Sequence, residues 1–514
     1  MSDFLKKLNN TLGEEFNVSE TENGAIGYAT TGLPLLDLNY SISSLRLMDE
    51  ERILKKFKKA FYEDKLLAIK WLFFACDVRE GVGERRLFRI ILKNLALTEI
   101  EIAKRLLPLV SEYTRWDNLL VLLSTPLYGE VCKLYKNQID ADLKRMEEGK
   151  SVSLCAKWLP SINTSCEQTK QLAKFIAKEW GITQSKYRKI LSSLRKHLNV
   201  VEVKASKGAW KEIDYEAVPS RANLIYNNAF LRNDTLRRKE YLEAVKKGEK
   251  EIHSGVLYPH DIVSRYFTKS GELVDNPNET LELLWRELPN LVEGGDDTIC
   301  VCDTSLSMTW IKFGRIMPLD VAISLSIYFS ERCTGGFKDN FITFSDDPQL
   351  TDLSKQKNLR DKIGKVKASV ISGSTNIEAV FDLILTTAIN NNLKQTQLPK
   401  NVLILSDMEF NDCATSTNYG SNPTGMEKLF NQISAKYIAH GYQLPRLIFW
   451  NLASRTLTIP LKKNKLGVAL VSGFSPQVLK VVLSGHLDPL KCILETINSP
   501  RYDKVAMALK DLDL

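Results

Sequence analysis

Five short apolar runs recur at 298–303, 340–345, 401–407, 446–453 and 467–473. Amphipathic stretches near 318–332, 376–390 and 426–439 lie between them, and another at 476–484 follows the last run. A strand followed by a helix, repeated, has few solutions. Parallel strands need a long crossover, and a helix laid back on the sheet supplies it. The rhythm therefore predicts an open, mainly parallel α/β sheet with helices on its faces. Ligands of such sheets sit beyond the carboxyl ends of the strands, so the residues just after each apolar run are where chemistry is sought.

Upstream the rhythm is different. From about 48 to 200, segments such as "GERRLFRIILKNLAL" and "EQTKQLAKFIAKEWG" place apolar residues near i, i+3, i+4 and i+7, with short breaks at Gly, Pro, Ser or Thr. Successive amphipathic helices without strands suggest a HEAT-like solenoid of stacked helical pairs, although no strict period is visible. Residues 201–290 are mixed, with helical candidates at 219–231, 234–248 and 279–288. Residues 1–40 mix Gly, Thr, Asn and Ser with little periodicity. The expected fold class is thus α plus α/β: a flexible segment over 1–40, a helical-repeat domain over 41–290 and a Rossmann-like domain over 291–514.

The first apolar run ends in "TICVCDTSLSM", with Asp303, Ser305 and Ser307 at alternate positions. Two further segments offer oxygens for the same sheet edge: "SGSTN", with Thr375, and "LSDMEF", with Asp407. Singly, these read as a capping carboxylate and hydroxylated turns. Together they form an all-oxygen set of two carboxylates and three hydroxyls, suited to a hard divalent cation such as Mg²⁺, or Mn²⁺. So few carboxylates leave the ion under-neutralised and open to an acidic group from a partner. Catalysis is not expected. A serine nucleophile needs a histidine, and the five (197, 253, 260, 440, 486) are dispersed. Metal-dependent hydrolysis of nucleic acid generally needs more carboxylates than Asp303 and Asp407. Nor is a zinc site expected: the nine cysteines are scattered, and the one close pair, Cys300 and Cys302, is not a CxxC half-site.

Asp-x-Ser-x-Ser, a distant Thr in a Gly-Ser-Thr turn and an Asp at a later strand end resemble the metal-ion-dependent adhesion site (MIDAS) of von Willebrand factor A domains. The resemblance implies Asp303, Ser305, Ser307, Thr375 and Asp407 as the metal-binding positions. Leu306 stands where many members have Gly, and "SDMEF" departs from their common Thr-Asp-Gly, adding Glu409.

Charge is unevenly placed. Residues 1–150 carry 23 Lys+Arg and 23 Asp+Glu, whereas 151–250 carry 20 and 10. An anionic partner is therefore sought in that block. Lys170, Lys174, Lys178, Lys186, Arg188, Lys189, Arg195 and Lys196 are the candidate RNA-binding residues. The first three recur every four residues, on one helix face that can track phosphates. Trp158, Trp180, Tyr187 and Trp210 lie close enough in sequence to offer stacking surfaces. For any single lysine, a solvated face remains the simpler reading. Arg115 and Asp117 in "TRWDNLL" read as a structural pair.

The phrases "EGVGERRLFR", "YTRWDNLL" and "AKWLPS" resemble the TROVE module of Ro ribonucleoproteins. "YRKILSSLRKHLNVVE" through "IDYEAVPSRANLIYNNAF" is closer still to an uncharacterised family that joins a TROVE-like region to an A domain. The Ro resemblance implies structured or defective RNA as ligand, the uncharacterised family much less; the leading expectation is a non-enzymatic RNA-binding protein. The alternative is a metal-dependent protein-interaction scaffold that takes an acidic protein ligand and no RNA. No apolar run reaches the ~20 residues a membrane span needs, and the first twenty residues lack a secretory pattern. A cytoplasmic monomer is expected.

Overall fold

The computed structural model describes residues 17–268, 270–292, 297–344, 347–368, 375–411, 424–462, 467–483 and 488–512. The chain forms two compact units, neither continuous in sequence: 1–49 with 257–498, and 50–256 with 499–514. These units divide the chain at points other than the expected 40/41 and 290/291. Both ends of the chain cross over by tertiary docking, which leaves no local pattern.

The α/β unit is built on a six-stranded sheet: β1 (Thr298–Asp303), β2 (Asn340–Phe344), β3 (Gln349–Asp352), β4 (Asn401–Ser406), β5 (Arg446–Asn451) and β6 (Val468–Ser472). Its order is β3-β2-β1-β4-β5-β6. Every pair is parallel except β2 with β3. All of β1 and β5 is buried, which explains why their interiors, Ile299–Cys302 and Leu447–Trp450, are continuously apolar rather than alternating. β3 is not among the expected strands. It is an exposed edge with only Thr351 buried, so no apolar run announces it.

Helix Pro318–Arg332 lies between β1 and β2 in sequence and packs on β1, placing Ser326 3.4 Å from Cys300 Sγ. Helix Gly425–Ala439 joins β4 to β5. Leu359–Ala368, Ile377–Asn390, Val478–Leu483 and Pro489–Ile497 complete the main set; the first and last of these four are not among the expected helices. The core holds Val301, Ile404, Phe381, Phe430 and Phe449, with Phe430 edge-on to both other rings at 6.0 and 5.5 Å.

Residues 17–40 are part of this unit rather than a loose lead-in; 1–16 lie outside the described residues. Two short strands, Ser19–Glu20 and Ile26–Gly27, pair as a hairpin. Tyr28 and Ile459 exchange both backbone hydrogen bonds at 2.9 Å. The Thr21 hydroxyl donates to Phe410 O at 2.7 Å, and Asn451 Nδ2 donates to Tyr40 O at 2.9 Å. The hairpin and helix Pro34–Tyr40 are thus tied to segments just beyond β4 and β5.

The second unit is helical throughout its described residues. Helix Lys65–Cys76 is buried without interruption from Ala68 to Cys76, as expected of a helix that is apolar all round. Phe73 packs edge-on against Phe88 and Tyr113, at 5.8 and 5.1 Å. Helix Asp503–Leu509 closes the unit. The Tyr502 ring stacks on Tyr113 at 5.7 Å, and Arg501 grips the buried Asp77 with Nε and Nη2 at 2.8 and 3.2 Å.

Candidate functional site

The strand order reverses at β1, which has β2 on one side and β4 on the other. The crevice at such a switch point, beyond the strand carboxyl ends, is where doubly wound sheets bind ligands. Asp303 ends β1 and Asp407 directly follows β4. Pairing of Cys302 with Leu405 brings the next residues, Asp303 and Ser406, side by side. Ser406 Oγ donates to Asp303 Oδ2 at 2.5 Å, and the Ser305 N–H donates to Asp303 Oδ1 at 2.9 Å. The Ser305 and Ser307 hydroxyls are 3.0 Å apart, and the Asp407 N–H reaches Met308 Sδ at 3.2 Å.

Thr375 enters from a third segment. Its N–H donates to Asn411 Oδ1 at 3.2 Å and its carbonyl accepts from the Asn411 N–H at 3.3 Å, which binds it to the chain just after β4. Its hydroxyl is buried with no hydrogen-bond partner among the described residues. The turn residues 372–374 lie outside the described residues.

All five expected positions are buried, and their electrostatics follow from that. Burial raises the pKa of Asp303. Asp407 is pushed up to about 7, first by burial and then by the Asp303 carboxylate, while Arg455 and the Ser307 hydroxyl oppose the shift. Two carboxylates in one dry site cannot both ionise cheaply without a cation. Together with the orphaned Thr375 hydroxyl and the all-oxygen donors, this suits a hard divalent ion. No group of three or more His, Cys, Asp or Glu that could hold a metal occurs among the described residues, so any cation here depends on the hydroxyls.

Sequence reasoning missed three features. Arg455, in the loop after β5, places Nη1 3.1 Å from Asp407 Oδ2 and Nε 2.7 Å from Glu22 Oε2. Glu409, read as an addition to the acidic set, is a structural carboxylate. It accepts from the Arg455, Thr456 and Glu22 N–H groups at 2.7, 3.1 and 2.8 Å. Met408 adopts φ +63°, a left-handed conformation that favours glycine and costs about 1–2 kcal/mol for another residue. That conformation accounts for the Gly common after this Asp in the resembled motif. Leu306 and Trp310 are 51% and 58% exposed, an apolar pair beside the cluster.

In the helical unit the basic candidates divide. Lys178, Lys186, Arg188, Lys189 and Lys196 are exposed. Lys170 pairs with Glu167 at 3.1 Å. Arg195 is turned inward, donating to Ala156 O, Ser161 Oγ and Leu159 O at 2.8, 2.7 and 2.8 Å, which makes it a clamp between segments. Trp180 and Tyr187 are buried, each donating to a backbone carbonyl, and offer no stacking surface. Arg115 does pair with Asp117, which also receives Arg85 and Arg89 at 3.0 and 2.9 Å, while Arg115 stacks 3.6 Å over Trp158.

Fold and site together define a protein with a helical unit and a doubly wound α/β unit whose switch point carries a buried oxygen cluster. The chain belongs to the family of the uncharacterised protein L728 of Acanthamoeba polyphaga mimivirus, with 30% identity over 539 residues, covering 97% of this chain and 90% of that protein. Two domain-of-unknown-function models match, DUF2828 over residues 179–293 and DUF7788 over 297–498. Among solved structures, the chain is similar to the Ro (RSR) protein of Deinococcus radiodurans, with 13% identity and a TM-score of 0.34 over 77% of this chain and 93% of that one.

Proposed function

We propose that this protein is a non-enzymatic, cytoplasmic RNA-binding protein of Ro type. Its solenoid-like helical unit holds structured or defective RNA, and its von Willebrand factor A-like unit carries a Mg²⁺ or Mn²⁺ adhesion site at Asp303, Ser305, Ser307, Thr375 and Asp407. The observation that carries the RNA reading is helix Gln184–His197, which holds no acidic residue and exposes Lys186, Arg188, Lys189 and Lys196. None of these four forms an ion pair among the described residues. Cations held apart from carboxylates in this way are suited to phosphates. Filter binding of structured RNA at low salt tests it. Reversing Lys186, Lys189 and Lys196 to Glu lowers affinity at least tenfold if the reading is right, and leaves it unchanged if it is wrong.

One observation favours the alternative of a metal-dependent protein scaffold. Exposed Leu306 and Trp310 beside the oxygen cluster suit an acidic side chain flanked by apolar ones. A pull-down that requires Mg²⁺, fails with Asp303→Ala and contains no nucleic acid decides for that alternative.

A further inference from the structure

The helical unit carries an open recess of about 720 Å³. Its apolar lining comes from Ile90, Leu120, Val121, Leu172 and Phe175. Four cationic side chains share it: Arg89 and Lys93 from helix Arg85–Thr98, and Lys174 and Lys178 from helix Glu167–Glu179. Each pair is spaced i, i+4, so each presents both charges on one helix face. The only carboxylate in the lining is Glu50.

Some exposed cations of this unit find partners, as in Lys104–Glu130, Arg105–Glu101 and Lys170–Glu167. Lys93, Lys174 and Lys178 form no ion pair among the described residues. Arg89 is aimed by Asn118 Oδ1 at 2.7 Å and Asp117 Oδ2 at 2.9 Å. Gathering three unpaired lysines around an apolar recess, beside an arginine already paired with Asp117, is unfavourable, and an anion relieves it.

We infer that this recess is a nucleotide pocket: it takes one unpaired nucleotide of a single-stranded RNA segment. The base lies on Phe175 and the aliphatic lining, and the flanking phosphates lie between Lys93, Lys174, Lys178 and Arg89. An apolar floor with one aromatic ring accepts a base face with little regard to sequence. Gln171 and Ser124, also in the lining, already donate to Glu167 Oε1 and Val121 O, and their oxygens remain to accept from a base edge. The inference rests on the RNA reading above but concerns a different surface from Lys186, Lys189 and Lys196.

The test uses the full-length protein and a fluorescent single-stranded oligouridylate containing 4-thiouridine, with anisotropy measured across a salt series. Lys93→Gln/Lys174→Gln/Lys178→Gln is compared with Lys186→Gln/Lys189→Gln/Lys196→Gln, and circular dichroism checks that both fold. The pocket predicts at least a tenfold loss for the first variant, with the log affinity against log salt slope shallower by roughly 2. It also predicts photocrosslinks on the peptide containing Phe175, suppressed by excess uridine monophosphate. Unaltered affinity in the first variant with a loss in the second overturns the pocket and leaves the RNA reading standing. Crosslinks confined to other peptides likewise overturn the pocket alone. A wild-type protein that binds no oligonucleotide at low salt overturns both.

Discussion

Arg455 holds its guanidinium 3.1 Å from Asp407 Oδ2, so a carboxylate assigned to the cation already has a positive neighbour. Glu22 holds the same guanidinium at 2.7 Å. The arrangement makes Arg455 a counter-ion to the buried oxygen cluster. Asp407 is fully buried and the Arg455 side chain only 15% exposed, so the pair is little screened.

Arg455→Gln should lower stability in chelator by roughly 3 kcal/mol, because removing one partner strands a buried charge. Millimolar Mg²⁺ should restore much of the loss by replacing the missing charge. Urea melts with EDTA and with MgCl₂ check this; a loss that Mg²⁺ does not reduce contradicts the assignment.

Stabilisation by Mg²⁺ should grow with pH. The folded-state pKa of Asp407, at about 7, lies above the ~3.9 of an unfolded aspartate. In the metal-free protein its contribution to stability is therefore fully present below pH ~3.9 and is lost as pH rises through about 7. The ion takes the deprotonated carboxylate, so the rise in melting temperature on adding Mg²⁺ should be larger at pH 8 than at pH 6. An increment equal at both, or larger at pH 6, rules out Asp407 as a ligand.

Glu409→Ala should cost at least about 3 kcal/mol, since the N–H groups of Glu22, Arg455 and Thr456 lose their acceptor. Mg²⁺ should leave that loss in place, because this carboxylate secures the N-terminal hairpin and the loop after β5 rather than a cation. A variant rescued by Mg²⁺ to wild-type stability would place Glu409 among the ligands instead.

Arg501→Ala should loosen the helical unit by roughly 3 kcal/mol, because it leaves the buried Asp77 without its bidentate partner. Limited proteolysis should then cut within 499–512 faster than in the wild type. Unchanged protection there would detach this segment from the helical unit.

Much of this organisation was legible in the chain. Buried parallel strands must be continuously apolar, so β1, β4, β5 and β6 stand out, and the oxygens at the ends of β1 and β4 follow from the strand rule. What stayed hidden depends on tertiary docking. β3 is polar because it is an edge, and the hairpin at 19–27 is too short to show a period. Arg455 and Glu22 belong to loops far from the motif, and no spacing connects them to Asp407. The i, i+4 pair Lys174 and Lys178 was visible, but its sharing of one recess with Arg89 and Lys93 depends on tertiary structure. Trp180 and Tyr187 show the reverse error: aromatics interleaved with lysines are the buried side of the same helices.

The affinity of the wild-type protein for single-stranded RNA, measured across a salt series, tests the central claim most directly. With four or more phosphates held by the basic surface, the log affinity should fall against log salt with a slope of about −3 or steeper. No binding at low salt, or binding indifferent to salt, would remove RNA as the ligand and leave the metal-dependent protein scaffold in its place.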